Sequence, residues 1–252
     1  EESVGDRVVS RDLVPFMRSR NVEFVSKKMK PLTQLYAFFD GQNVTKYCVP
    51  KLIEISMISG TFQVGEQVHG RVTSTGLGGR HRDSAPQIFF RVAQLNHKEG
   101  LYNVPTKTFR DNPYTNQPLA SSYSSTSEMI NVDTFSLSNE VQGSYYGYIE
   151  EGMVIHGHTS GARATITNVR IVSDISAFCA GSFFIPDPNN FNFPRFETGT
   201  KLFSLTNDAE NDSNKATTLA DETFTASGTL ETVQENILSI RNARVEQRQS
   251  FQ

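Results

Sequence analysis

Hydrophobic and polar residues alternate in short runs along much of this chain, a pattern typical of β-strands. In the segment DETFTASG, Phe224 and Ala226 alternate with Thr223, Thr225 and Ser227, which predicts a strand with one buried face. No long run has the period of an amphipathic helix. The pattern therefore predicts a mainly β fold of small antiparallel sandwich or barrel-like modules, with long irregular connections and extended termini.

The segment NVEFVSKKMKPLTQLYAFFDGQ predicts a β-hairpin. Its first strand alternates over 22–26, and its return strand covers 35–39. The Pro31-Leu32 pair is expected to form the connecting turn, and Asp40-Gly41 is a strong signal for the next one. This part of the chain is thus expected to be a meander of paired neighbouring strands.

Two short segments resemble each other and indicate an internal repeat. GEQVHG covers residues 65–70 and GMVIHG covers 152–157, and a Thr-Ser pair follows each copy within a few residues. We interpret this as a divergent repeat of one small β-module. The expected organisation is an N-terminal arm (1–20), a β-module with the first copy (21–100), an irregular Pro/Ser/Tyr-rich connection (101–130), a β-module with the second copy (131–206), and a terminal strand with an extended tail (207–252).

The tail segment after residue 229 fits a strand or a helix equally well. Val233, Ile237 and Ile240 have helical spacing, whereas Leu238 and Ile240 alternate. Polarity rises towards Gln252, so an extended tail is expected at the end of the chain.

Aromatic residues are concentrated in irregular segments rich in Pro, Asn and Ser. They pack either in the local core or in an interface with another protein, where Phe and Tyr are enriched. The candidate interface residues are Phe183, Phe184, Phe191, Phe193, Phe196, Tyr145 and Tyr146.

Charge and cysteine content narrow the classes of function. The net charge of −3 argues against a nucleic-acid-binding protein, which normally has a basic surplus. No apolar run reaches the roughly 20 residues of a membrane span, so no membrane partner is expected. The two cysteines, Cys48 and Cys179, are interpreted as buried free thiols.

The histidines offer one possible metal pair. His156 and His158 are two residues apart, which places both on one face of a strand. His69 occupies the position of His156 in the first repeat copy, where no second histidine follows. A repeated structural histidine is therefore favoured over a metal ligand. The basic loop 78–83 could meet a carboxylate or phosphate, but a solvated loop is the favoured interpretation.

Motifs of nucleophilic catalysis and phosphate binding are missing from the sequence. Its clustered carboxylates, Asp208, Glu210 and Asp212, lie in a polar segment that is expected to be a loop. We therefore expect no catalytic, cofactor-binding or metal-binding residues, and a protein that is not an enzyme.

The chain resembles large virion structural proteins of contractile-tailed phages, in particular cyanophages, in several separate sequence segments that occur in the same order. They are RSRNVEF (18–24), YAFFDG with VTKYC (36–48), FQVGEQVHG (62–70), FRVAQLNHKEGLYN (90–103), SFFIPDPN (182–189) and RFETGTKLFSLTN (195–207). Together they extend over most of residues 15–245.

This resemblance implies a structural component of a phage tail or baseplate. The expected partners are other virion proteins and further copies of the chain, and the expected location is the virion. An alternative is a receptor- or glycan-binding module of a tail fibre, which requires Tyr145, Tyr146 and Tyr148 to be exposed in a cleft.

Overall fold

A computed structural model describes residues 7–75, 81–83, 87–139 and 144–234, with side-chain surroundings for 13–72, 87–138 and 144–228. Within these residues the fold is mainly β, as predicted. All the strand pairs are antiparallel, and the sheets include a curled half-barrel. Within the described residues, no helix has the length and apolar character that a membrane crossing needs.

The strands follow one another along the chain with short connections in most places. They are β1 (Arg7–Leu13), β2 (Arg20–Ser26), β3 (Gln34–Phe39), β4 (Gln42–Asn43), β5 (Cys48–Pro50), β6 (Leu52–Ser59), β7 (Gln67–Arg71), β8 (Thr73–Thr75), β9 (His81–Asp83), β10 (Ile88–Arg91), β11 (His97–Leu101), β12 (Val104–Thr108), β13 (Met129–Asn131), β14 (Tyr146–Gly147), β15 (Val154–Gly157), β16 (Arg163–Asn168), β17 (Ile171–Val172), β18 (Cys179–Ile185), β19 (Gly199–Thr206), β20 (Leu219–Ala226) and β21 (Thr229–Gln234). A 3-10 turn covers Thr45–Tyr47, and the helix α1 covers Thr134–Asn139.

The largest sheet has seven strands in the order β13-β6-β16-β15-β7-β10-β14. Its inner face carries fully buried aliphatic and aromatic side chains, including Val68, Ile88, Phe90 and Ile155. Burial of these apolar side chains is the main force that holds the sheet on the core. Because side chains alternate along a strand, the residues between them face outwards.

Two smaller sheets pack face to face through phenylalanine rings. One has the order β2-β18-β5, and the other β17-β3-β19-β20, with β4 also paired to β3. Phe183 on β18 lies 5.2 Å from Phe39 on β3, and Phe24 on β2 lies 5.2 Å from Phe203 on β19, measured between ring centroids. These contacts form the centre of a β-sandwich.

The hairpin expected within residues 22–39 is wrong, although both of its strands exist. β2 pairs with β18, and β3 pairs with β19, β17 and β4, so the two strands lie in different sheets. Leu32 in the connection takes a positive φ of 49°, which turns the chain away. The second turn is confirmed, because Asp40 and Gly41 have φ values of 51° and 76° between β3 and β4.

The two repeat copies lie side by side in the seven-stranded sheet. β7 and β15 pair so that His69 is opposite His156, Val68 opposite Gly157, and Gly70 opposite Ile155. The pairing relates the copies by a local two-fold axis through the two histidines. Strands from 21–100 and from 131–206 thus share sheets, and the predicted modules are intermixed in space.

The repeat glycines make room for a side chain of the other copy. A Cβ atom on Gly157 would lie 2.7 Å from the carboxylate of Glu66, and one on Gly70 would lie 2.5 Å from the sulfur of Met153. Glu66 and Met153 occupy the same position in the two copies. The two copies therefore pack reciprocally: the second residue of each copy fills the space next to the last glycine of the other copy.

Glu66 connects the strand β7 to the turn that follows β15. Its buried carboxylate accepts hydrogen bonds from the backbone N–H groups of Gln63, Thr159 and Ser160 at 2.7, 3.1 and 2.9 Å, and from the hydroxyl of Ser160. Several charge-assisted hydrogen bonds compensate for burying this carboxylate.

The N-terminal arm and the terminal strand pair with each other. β1 runs antiparallel to β21 from Arg7 opposite Gln234 to Leu13 opposite Thr229. The strand alternative is thus confirmed for Thr229–Gln234, whereas residues 1–6 and 235–252 lie outside the described part of the chain. The strand expected in DETFTASG is β20, whose Phe224 and Ala226 are half-buried.

The connection predicted at 101–130 is irregular only after its first residues. β11 and β12 form a hairpin that contains Pro105, and the chain then runs without regular structure to β13. Tyr114 and Tyr123 fix this segment, because their hydroxyls donate to the carbonyls of Leu52 and Ala93 at 2.6 and 2.7 Å.

Candidate interaction surfaces

The predicted interface aromatics lie in different environments. Phe183 and Phe196 are only 3% exposed and belong to the core. Phe184 stacks on Tyr148 with a centroid distance of 5.5 Å, and Phe193 packs half-buried against that same ring at 6.1 Å. The core interpretation therefore describes most of this group.

Phe191 and Tyr146 are the exposed members of the group, at 82% and 41%. Phe191 lies under the guanidinium of Arg195, whose Cζ is 4.3 Å from the ring centroid. Such a cation–π contact orients the ring on the surface without burying it. These two side chains are accessible to a partner.

Tyr145 and Tyr148 do not meet the requirement of an exposed tyrosine cleft. Tyr145 is half-buried, and its hydroxyl accepts a hydrogen bond from Nε of Arg91 at 3.2 Å. Tyr148 is buried beside Tyr47, and burial raises its pKa to about 12. The expectation that all three tyrosines line a cleft is wrong.

An opening between β2 and β20 is the first surface with a defined shape. It is a cavity of about 400 Å³ between residues 22–27, in and just after β2, and residues 220–224 of β20. Its apolar wall is formed by Phe24, Phe39, Phe183, Phe203 and Phe224. We call this opening the β2/β20 slot; it lies where the two sheets of the sandwich meet at their outer strands.

The main-chain groups of β20 at Thr223 are directed away from its own sheet. Asp40 N–H donates to the carbonyl of Leu202 at 2.9 Å, so Leu202 faces β3. Thr223 is opposite Leu202. In an antiparallel pair, when the main-chain groups of one residue point away from the partner strand, those of the residue opposite it point away as well, so the N–H and C=O of Thr223 point out of the sheet. Accordingly, the N–H of Thr223 donates to the carboxylate of Glu222 at 3.2 Å and not to a carbonyl of β19.

Across the slot, the main-chain groups of β2 at Val25 are also directed away from their own sheet. Lys51 N–H donates to the carbonyl of Ala180 at 3.1 Å, so Ala180 faces the β5 side of its sheet. Val25 is opposite Ala180, and its main-chain groups are therefore directed away from β18. Two outward-facing strand edges thus border an apolar cavity, an arrangement that suits the addition of an extended chain.

A row of four ring-bearing side chains and one arginine crosses the outer face of the seven-stranded sheet. Register places Arg163, His156, His69, Phe89 and Tyr146 opposite one another on β16, β15, β7, β10 and β14. Directly opposite residues project on the same side of a sheet. We call these five residues the imidazole–aromatic row, the second surface.

Successive rings in the row are in contact. Centroid distances are 5.3 Å from His69 to His156, 6.0 Å from His69 to Phe89, and 5.5 Å from Phe89 to Tyr146. His158 adjoins the row, because its Nε2 is 3.1 Å from Nδ1 of His69.

In the described part of the chain, no group of three His, Cys, Asp or Glu side chains is placed to hold a metal ion. The bond between His158 and His69 occupies one lone pair that a metal would need, since one nitrogen donates and the other accepts. Burial, with a contribution from the charge of Arg71, lowers the pKa of His69. This histidine is therefore neutral at neutral pH.

Both cysteines are buried free thiols, as predicted. Burial raises the pKa of Cys48 well above its ordinary value and that of Cys179 to about 12. Thiols that stay protonated are poor nucleophiles. Arg80 lies outside the described residues, as do the side chains of the basic loop 78–83.

The repeat and its histidines are visible in the sequence, but the contact between the histidines is not. The same holds for the wall of the slot, formed by Phe24, Phe39, Phe203 and Phe224 together with Phe183. The available signal was that Val22 and Phe24, and likewise Phe224 and Ala226, alternate with polar residues. This pattern indicates the buried face of each strand, but it does not indicate which strands pack against each other.

Comparisons with known proteins identify no relative: the chain matches no family model, no curated protein and no solved structure. The resemblance to phage virion proteins therefore stays a prediction.

Proposed function

We propose that this chain is a structural component of a phage virion, in its tail or baseplate, which acts by protein–protein assembly. The observation that carries the proposal is the β2/β20 slot, where two outward-facing strand edges border a phenylalanine-lined cavity. An extended segment of a neighbouring virion protein would pair with β20 and place alternate apolar side chains in the slot. Further copies of the chain are expected in the same assembly.

Charge defines the chemistry of the incoming segment. Asp221 and Glu222 line the β20 side of the slot. On the β2 side, the carboxylate of Glu23 accepts from the Thr134 hydroxyl at 2.8 Å, and Lys27 lies 3.7 Å from Glu99. The slot therefore presents an acidic rim above an apolar wall. A segment that alternates apolar residues with Lys or Arg fits both.

A proline at Thr223 tests the proposal because it removes an outward-facing N–H and leaves the ladder with β19 in place. Thr223→Val is the matched control, since it keeps the N–H. The readout is co-purification with structural proteins encoded in the same genome. We expect T223P to lose its partner while T223V keeps it, with both variants unfolding within about 1 kcal/mol of the parent chain. Equal capture by both variants would refute strand addition at β20.

A second candidate function is recognition of a host-surface glycan, with Tyr146 and Phe89 as the favouring observation. Their rings form a contiguous pair on the outer face of a sheet, 5.5 Å apart. Aromatic faces of this kind stack on sugar rings. The imidazole–aromatic row, instead of a tyrosine cleft, is then the place of contact.

A further inference from the structure

The imidazole–aromatic row combines ring stacking with imidazoles, which gain a positive charge when they are protonated. Three imidazoles, those of His69, His156 and His158, meet on one sheet face. Arg163 is opposite His156, and Arg71 follows His69 by two residues on the same face of β7. All five side chains carry positive charge once the imidazoles are protonated.

The groups nearest to His69 supply no negative charge. Those that act on it electrostatically are Arg71 on its own strand, and His156 and His158 from the neighbouring one. Phe89 on β10 is its neighbour on the other side, at 6.0 Å. The cross-strand row from β16 to β14 contains no carboxylate. The carboxylate of Glu66 accepts from the N–H of Thr159, next to His158, but it lies on the buried face and also accepts from Gln63 and Ser160. Protonation of the row therefore adds positive charge on the outer face of the sheet.

Arg71 gives an independent indication of an anion. Its Nε is buried and has no hydrogen-bond partner among the described residues. A buried donor without a partner is costly, so a side-chain movement of Arg71 that brings Nε to the surface would gain a hydrogen bond from an oxygen of a bound acid group. This donor lies on the same face as the three imidazoles.

The contact between His69 and His158 makes the row sensitive to pH. Their 3.1 Å hydrogen bond requires one protonated and one unprotonated nitrogen. When both rings are doubly protonated, two N–H groups face each other and the bond is lost. An anion placed between the rings then accepts from both, so acidification replaces an internal bond with a ligand contact.

We propose that the imidazole–aromatic row binds an acidic saccharide, with its acid group against the imidazoles and Arg71 and a sugar ring on Phe89 and Tyr146, and that binding strengthens as the pH falls. This deepens the second candidate function and rests on it, and it is independent of the β2/β20 slot. Binding at acidic pH follows because protonated imidazoles attract the acid group, whereas neutral ones do not. The aromatic end of the row favours a sugar acid over a simple anion.

The test uses three probes at about pH 5 and about pH 7.5; the lower pH is set well below the ordinary histidine pKa because the pKa of His69 is itself lowered. A hyaluronan tetrasaccharide carries sugar rings and carboxylates, tetra-N-acetylchitotetraose carries rings without charge, and sodium glucuronate carries the acid on one ring. Histidine Cε1–Hε1 NMR signals report contact with the imidazoles. We expect the tetrasaccharide to shift the signals of His69, His156 and His158 and to bind about tenfold more tightly at the lower pH.

Variants assign the two halves of the site. H69Q and H156Q are expected to abolish the pH dependence, and F89A is expected to weaken the tetrasaccharide while leaving glucuronate unchanged. K215Q, which removes an exposed cation in the 207–217 loop, is the control and should bind like the parent. H158Q, at an exposed position, gives a second test if H69Q fails to fold.

Several results would overturn the proposal. Absence of histidine shifts with both acidic probes, equal affinity at the two pH values, or unchanged binding by H69Q and H158Q would each do so. Equal effects of glucuronate and tetrasaccharide would refute the saccharide part. Tight binding of tetra-N-acetylchitotetraose alone would leave glycan recognition standing and remove the imidazoles from it. None of these outcomes bears on assembly through the slot.

Discussion

The two surfaces of this protein differ in what they offer a partner. The β2/β20 slot offers main-chain edges and an apolar wall, so its specificity depends on backbone geometry and shape. The imidazole–aromatic row crosses the outer face of the seven-stranded sheet from β16 to the edge strand β14, and what it offers is side chains. The comparison teaches that unfinished sheet edges suit another protein chain, whereas completed sheet faces suit smaller ligands.

The difference extends to how each region is stabilised. The sandwich beside the slot depends on large aromatic side chains, with Phe39 contacting Phe183, Phe196 and Phe224. The seven-stranded sheet depends on a close fit at its repeat glycines. Truncation should therefore damage the first region most, and enlargement the second.

The largest expected effect is in the sandwich. Phe183→Ala should lower the free energy of unfolding by about 4 kcal/mol, because it leaves a cavity in the phenylalanine core. Phe191→Ala, an exposed member of the same predicted interface group, should change it by less than about 0.5 kcal/mol. Urea denaturation of both variants measures the contrast. Similar losses would mean that Phe191 is as buried as Phe183.

These two phenylalanines also show the limit of prediction from sequence. The local features were predictable, such as the turn at Asp40-Gly41 and the alternation around Phe224, because neighbouring residues determine them. Nothing near Phe183 or Phe191 indicates which one is buried. That depends on Phe39, which is far away along the chain.

Strand pairing was unpredictable for the same reason. β2 was expected to pair with the next strand, yet Phe24 is opposite Gly181. A Cβ on Gly181 would lie 2.5 Å from the Phe24 ring, so this glycine admits the ring over β18. The complementarity is visible only once the two strands are together. The repeat was visible in the sequence, but the meeting of its histidines was not.

Enlargement in the seven-stranded sheet should have the next largest effect. A Cβ on Gly70 would lie 2.5 Å from the sulfur of Met153 and 2.8 Å from Ile88, so Gly70→Ala should lower the free energy of unfolding by about 3 kcal/mol. Ser59→Ala, at an exposed position of the same sheet, is the control. Thermal and urea unfolding would show it. A neutral G70A variant would contradict the close fit of the repeat.

A smaller effect on stability is expected from His97, a buried histidine outside the imidazole–aromatic row. Burial, with the charge of Lys51, lowers the pKa of His97 to about 4. Its unfolded pKa is about 6.5, so the folded state binds fewer protons between these values. Stability is thus full above pH 6.5 and falls as the pH drops towards 4, by about 2 kcal/mol.

Denaturant titrations of the parent chain and of His97→Gln between pH 4 and 7 check this prediction. The variant should show a flatter pH profile of stability, while its pH-dependent saccharide binding stays like that of the parent. A profile unchanged in H97Q would assign the loss of stability to other groups.

The central claim is that the outer edge of β20 takes up an extended strand, and amide hydrogen exchange tests it most directly. The N–H groups of Thr223 and Thr225 should exchange quickly in the free chain, because these residues alternate with the ones that face β19. In the assembled complex both amides should become strongly protected. If they exchange equally fast in the free and assembled states, strand addition at β20 is contradicted.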